Sequence, residues 1–86
     1  MAITPDTVIS STLGDMRLII GIFSTAGVID DNETWATGIK SIISYWTEQT
    51  TEGPNDLAID DETDGVLTFS TKADNTGIVY ILCRGN

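Results

Sequence analysis

The chain has 86 residues, enough for one small domain, and its thirteen acidic against four basic residues give a formal net charge of −9. This charge argues against a free-standing nucleic-acid binder, which needs a basic face, and against attraction to an anionic membrane. With no His and a single Cys, the sequence also lacks the residues for an internal disulfide, a Ser-His or Cys-His catalytic pair, or an ordinary structural zinc site.

The composition favours β structure. Thirteen Thr, twelve Ile and four Val are β-branched, and such side chains suit a pleated sheet better than a helix. Turn-forming residues also recur at short intervals along the chain. We therefore predict a single all-β domain over residues 1–86, a small antiparallel β-sandwich or jelly-roll-like barrel of about six short strands.

The first half of the chain predicts two strands. Residues 6–11 form the first of them, within a peripheral N-terminal segment of residues 1–13. Residues 16–23 form a central strand, because its apolar run leaves no polar face and such runs are buried on both sides. The start of the chain has neither a basic region nor an apolar core, so no signal peptide is predicted.

Residues 34–46 allow two interpretations. Apolar side chains recur there at spacings of three to four residues, which is typical of an amphipathic helix. Gly38 and several Thr and Ser residues are poor helix formers, and residues 39–45 also alternate as a strand would. We favour a strand over residues 39–47, with one short helix around residues 34–46 as the alternative.

The C-terminal part predicts a short edge strand at residues 57–59, followed by a hairpin. Residues 66–71 and 78–83 form the two strands of that hairpin, and residues 74–77 form its turn, since Asn75 and Gly77 both tolerate positive φ. The second strand is nearly all apolar, which again indicates burial on both faces.

An acidic cluster before this hairpin invites a metal interpretation. Asp60, Glu62 and Asp64, followed by Gly65, match the opening of an EF-hand calcium loop. The position that should hold a bidentate Glu is Thr71, however, and a strand is predicted to follow. We therefore interpret residues 61–65 as an acidic hairpin turn, keep the three acids as calcium candidates, and predict no cofactor. Residues 30–33 form a second acidic loop.

The aromatic and apolar residues suggest an interface. Trp35, Tyr45, Trp46 and Tyr80 could stack on sugar rings, but core or subunit packing is the more usual role of such residues. Two strands that are apolar on both faces exceed what one small core can cover. We therefore predict a homo-oligomer whose interface candidates are Ile20, Ile22, Trp35, Trp46, Tyr80 and Ile81.

The order of several short motifs along the chain resembles that of a known protein family. After a Thr-rich leader come GDMR at residues 14–17, GIF at 21–23, TGI at 37–39 and DNTG at 74–77, before a last apolar strand and Gly85. This layout resembles the decoration or cement proteins that coat tailed-bacteriophage capsids.

The resemblance implies a non-enzymatic protein, made in the host cytoplasm and located on the capsid surface. It would form a homotrimer and bind the major capsid protein or another virion protein in many copies. A tail or fibre component (a tube, adaptor or adhesion module) is the alternative, and a free carbohydrate-binding module is a weaker one.

Overall fold

The computed structural model of the chain describes residues 2–24, 29–50, 56–72 and 75–84. Within these ranges the secondary structure consists of strands without a helix, so the prediction of an all-β fold is confirmed. The strands are β1 (Thr7–Leu13), β2 (Met16–Phe23), β3 (Thr34–Ala36), β4 (Ile42–Gln49), β5 (Ala58–Thr63), β6 (Val66–Ser70) and β7 (Gly77–Arg84).

Two antiparallel sheets make up a small β-sandwich. The four-stranded sheet has the order β1-β2-β7-β4, and the three-stranded sheet has the order β3-β6-β5. The apolar strands β2 and β7 pair along eight residues each at the centre of the larger sheet. They occupy this place because a strand with two apolar faces is best covered on both edges and on the core side.

The core lies between the two sheets. Phe23 is its centre, since its ring makes edge contacts with Trp35 at 5.5 Å and with Phe69 at 5.7 Å between ring centroids. Both sheets supply alternate residues to it, as the period of two requires. The buried apolar residues are Ile19, Phe23, Ile29, Trp35, Leu67, Phe69, Val79, Ile81 and Cys83.

The helix alternative for residues 34–46 is wrong. This segment contains β3, a five-residue connection and the start of β4. Trp35 anchors β3, because its indole lies against Gly21, where an added Cβ would sit 2.7 Å from the ring. The apolar spacing that resembled a helix arises because Trp35 belongs to the three-stranded sheet and Trp46 to the four-stranded one.

The favoured strand over residues 39–47 begins later than predicted, at Ile42, and a bulge lies between Ile42 and Ser44. The preceding connection is tied to the other sheet, since both the backbone N–H and the hydroxyl of Thr37 donate to the Gly65 carbonyl, at 2.9 and 2.6 Å. Gly38 has a φ of 76°, which side-chain-bearing residues rarely adopt. The segment 37–41 therefore forms a fixed bend at one end of the sandwich.

The predicted hairpin of residues 66–71 and 78–83 is wrong. Each strand exists, but β6 pairs with β3 and β5, whereas β7 pairs with β2 and β4. Each strand has an apolar face that must be buried. Because β6 and β7 lie in opposite sheets, their apolar faces both pack into the core between the sheets. Residue 75 does not form a hairpin turn, because its N–H and carbonyl pair with those of Ile29.

The hairpin at this end of the chain is instead β5–β6. Asp64 and Gly65 form its two-residue loop, with φ angles of 52° and 83°, as a type I′ turn requires. The acidic turn predicted over residues 61–65 is thus shorter, because residues 61–63 belong to β5. The predicted edge strand at 57–59 is correspondingly longer.

Candidate functional site

The most unusual surface of the protein is the side of the four-stranded sheet that points away from the core, which we call the outer face. Register places alternate residues of its strands side by side: Ile20 lies between Ile9 and Tyr80, and Tyr80 lies next to Trp46. The apolar residues of the outer face are Ile9, Leu13, Met16, Leu18, Ile20, Ile22, Trp46, Ile78, Tyr80 and Leu82.

The solvent exposure of the side chains varies across the outer face. Ile9 is 46%, Leu13 52% and Trp46 47% exposed, whereas the outer residues of β2 and β7 are half-buried. The three-stranded sheet packs on the core side, so none of the described strands lies over the outer face. The described strands therefore leave an apolar sheet surface open to solvent.

Two charged residues belong to the outer face among the described residues. Glu48 lies at one corner, and Arg84, the register partner of Met16, lies at the opposite end of β7. The Tyr80 hydroxyl donates to the Glu48 carboxylate at 3.2 Å. Trp46 stacks on the Tyr80 ring, with centroids 5.3 Å apart and planes 11° from parallel. These contacts pre-order an aromatic pair, and such rigid aromatic groups are frequent anchors of protein interfaces.

The structure divides the six interface candidates. Ile20, Ile22 and Tyr80 lie together on the outer face and are half-buried, and Trp46 beside them is exposed. The other two, Trp35 and Ile81, point into the core, where they are 7% and 0% exposed. For sugar stacking this leaves Trp46 and Tyr80, since Tyr45 also packs against the core.

Sequence reasoning missed the contribution of β1. Ile9 and Leu13 extend the outer face, and Val8 on the other side of the strand is 54% exposed. β1 is also an edge strand with no charged residue between Thr7 and Leu13. Natural edge strands usually carry charges that prevent pairing with another chain. The uncharged sequence of this strand is the signal that could have drawn attention to it.

The calcium candidates lie on and beside the β5–β6 hairpin. Asp60 and Glu62 are strand residues and Asp64 is in the turn, so they do not surround one point as a calcium loop does. Glu62 accepts the N–H of Gly65 at 3.0 Å. Over the described ranges, no group of three or more His, Cys, Asp or Glu residues is arranged to hold a metal ion.

The second acidic loop, residues 30–33, also uses its carboxylates on backbone groups. Glu33 accepts the N–H of Asp30 at 2.8 Å, and Asp31 accepts the N–H of Thr71 at 3.1 Å. These bonds satisfy backbone donors where the chain passes between strands. The acids at this position thus have a structural role in the loop.

Comparison with family models, curated proteins and solved structures finds no match to this chain. In the part of the chain that the structure describes, no helix has the length and apolarity to cross a membrane. The arguments about function therefore rest on the outer face, on the distribution of charge and on the sequence motifs.

Stability should fall in strongly alkaline solution. Desolvation and then the hydrogen bond to Glu48 raise the pKa of Tyr80 above its ordinary 10.0, and the hydrogen bond to Asp56 raises the pKa of Lys72 above 10.5. The folded chain holds both protons more tightly than the unfolded chain. This contribution is therefore complete below about pH 10 and is lost as the pH rises through the folded pKa values.

Urea unfolding at about pH 9 and about pH 11 measures this effect, and the midpoint should be lower at the higher pH. The double variant Tyr80→Phe, Lys72→Gln should show a smaller decrease. An unchanged midpoint in the unaltered protein would contradict the prediction.

Proposed function

We propose that this chain is a non-enzymatic structural protein that acts in many copies, as a capsid decoration protein of a tailed bacteriophage. We further propose that its copies associate through the outer face. The observation that supports this most is that the outer face is mostly apolar, with Glu48 and Arg84 as its charged residues among those described, in a chain with a net charge of −9. Soluble monomers rarely expose a contiguous apolar surface of this kind.

The size of the outer face fits an interface. Four strands about 4.8 Å apart, with eight residues rising about 3.3 Å each, give a face of roughly 19 Å by 26 Å, or about 500 Å². Two such faces in contact bury about 1,000 Å² in total, which reaches the lower limit for a specific protein interface. The open β1 edge next to it offers further contact area.

The charge distribution favours a second copy of the chain as the occupant. Two chains of charge −9 repel each other unless they meet where acids are scarce. The outer face carries Glu48 alone among the described acids, whereas Asp60, Asp61 and Glu62 lie on the three-stranded sheet. Association through the outer faces therefore keeps most carboxylates apart and leaves them in water.

The phage assignment draws on the resemblance carried by residues 14–17, 21–23, 37–39 and 74–77. A coat of many copies on the capsid places the same molecules close together at high local density. In that arrangement the acidic three-stranded side faces solvent, where negative charge keeps a crowded surface soluble. The major capsid protein or another virion protein is the second partner.

The mass of the purified chain in solution tests the self-association. Light scattering at tens of micromolar should give two or three times the monomer mass of 9.2 kDa, with three expected for the homotrimer of a decoration protein. A folded chain that stays at 9.2 kDa would remove the self-association.

Copy number tests the virion role. Quantitative mass spectrometry of purified virions that carry the chain should find it in numbers comparable with the major capsid protein. A number near that of tail parts would instead identify the tail or fibre alternative. Absence from virions, together with a change of tryptophan fluorescence on adding glycans, would favour the carbohydrate-binding alternative through Trp46 and Tyr80.

A further inference from the structure

The four basic residues of this acidic chain are distributed unevenly. Lys72 forms an ion pair with Asp56, with 2.9 Å between its Nζ and the carboxylate oxygen. The other three, Arg17, Lys40 and Arg84, all line one cleft of about 450 Å³ at an end of the sandwich. None of the residues that line this cleft is acidic. We call it the basic cleft.

The backbone brings these three residues together from distant parts of the chain. Arg17 of β2 pairs in register with Cys83 of β7, and Arg84 is the next residue of that strand. The N–H of Arg84 donates to the carbonyl of Ser41 at 3.1 Å, and Lys40 precedes Ser41 in the fixed bend of residues 37–41. The cleft is therefore a product of strand register and of this bend.

Among the described residues, no ion pair joins Arg17, Lys40 or Arg84 to a carboxylate. The Arg17 guanidinium donates to the neutral hydroxyl of Ser10, with its closest nitrogen at 3.2 Å. Among the described residues, the ion pair of Lys72 and Asp56 involves none of the three. Like charges gathered around one cleft repel each other, and an anion bound between them removes that repulsion.

We propose that the basic cleft binds an organic phosphate. The phosphate group would lie between Arg17 and Lys40, and its organic part would lie against the apolar side chains of Ile19 and Ile39. This site lies at one end of the four-stranded sheet on its core side, where Ile19 and Cys83 line it, and it does not depend on the function proposed above.

Phosphate suits the basic cleft better than a carboxylate does. A phosphate monoester carries a charge of about −1.5 to −2 at pH 7 and three acceptor oxygens, so it can engage several donors at once. Arginine forks match its geometry, and a lysine adds a mobile point charge. Ser41 lines the same cleft. The cleft volume also falls in the range of about 300–1,000 Å³ that is typical of small-molecule sites.

Titration of the purified full chain tests this proposal. Phenyl phosphate, inorganic phosphate and benzoate are added separately while amide chemical shifts are followed by NMR, and sodium chloride at matched ionic strength serves as the reference. Phenyl phosphate should give saturable shifts around residues 17, 38–41 and 83–84, and it should bind more tightly than either other ligand.

Two matched variants complete the experiment. Lys40→Gln should weaken phenyl phosphate binding about tenfold, because it removes one charge-assisted contact. Lys72→Gln removes the same charge outside the basic cleft and should leave the affinity unchanged. Shifts that sodium chloride reproduces, stronger binding of benzoate, or equal weakening by both variants would each overturn the proposal.

Discussion

Replacing Ile81 by Asp should unfold the protein at room temperature. Ile81 is fully buried in β7, where its register partners are Ile19 on one side and Tyr45 on the other. Losing the side chain from the core costs about 2–5 kcal/mol, and an unpaired buried carboxylate costs several kcal/mol more. A chain of this length has a total stability of roughly 4–13 kcal/mol. Far-UV circular dichroism should therefore show loss of the β signal.

The control at the same position is Ile81→Val, which removes one methyl group and should cost about 0.5–1.5 kcal/mol without loss of fold. The urea midpoint of Ile81→Val, compared with that of the unaltered protein, measures the general sensitivity of this position, and the complete loss of fold in the Asp variant then reports the additional cost of the charge. An Asp variant that unfolds at the wild-type midpoint would show that the core is not where the structure places it.

Replacing Ile20 by Asp should dissociate the proposed homo-oligomer and leave the monomer folded. Ile20 is next to Ile19 in β2 but points to the outer face, where its register partners are Ile9 and Tyr80. In the free monomer the new carboxylate would be in water. At the centre of an apolar interface it would be desolvated without a partner, at a cost of about 3 kcal/mol, on the order of a hundredfold in Kd.

Sedimentation equilibrium measures the association, and circular dichroism verifies that the variant is folded. Ala58→Asp is the control, because Ala58 is an exposed residue of β5 in the three-stranded sheet. It should leave the oligomer intact. Association of the Ile20 variant at wild-type strength, or equal dissociation by both variants, would contradict the assignment of the outer face as the interface.

The different effects expected at Ile81 and Ile20 illustrate which properties of a strand can be predicted from its sequence pattern. The apolar runs at residues 16–23 and 78–83 predict central strands, and both are central. An unbroken apolar run does not reveal which alternate residues face the core, since both registers look alike. This is why the sequence groups Ile81 with Ile20 as an interface candidate, although Ile81 is a core residue. Trp35 is grouped with them because aromatic residues are frequent in both cores and interfaces, and it also lies in the core.

The prediction of a hairpin between β6 and β7 is wrong for a related reason. The residues 74–77 have the composition of a tight turn, and local composition is all that a sequence pattern measures. The choice between a hairpin and a crossing to the other sheet depends on the partners of each strand. β6 pairs with β3 and β5, while β7 pairs with β2 and β4. Before β7 begins, the backbone of Asn75 pairs with that of Ile29.

The sequence by itself determined the β class, the single domain, most of the strands, the excess of apolar surface and the lack of a His-based catalytic pair. These follow from side-chain branching, alternation and residue inventory, which are local or additive properties. The tertiary structure alone decided which residues form the core, that the outer face continues onto β1, and that Arg17, Lys40 and Arg84 share one cleft. Each of these depends on pairing between distant segments, because the register of a strand is set by its neighbours and by burial rather than by its own residues.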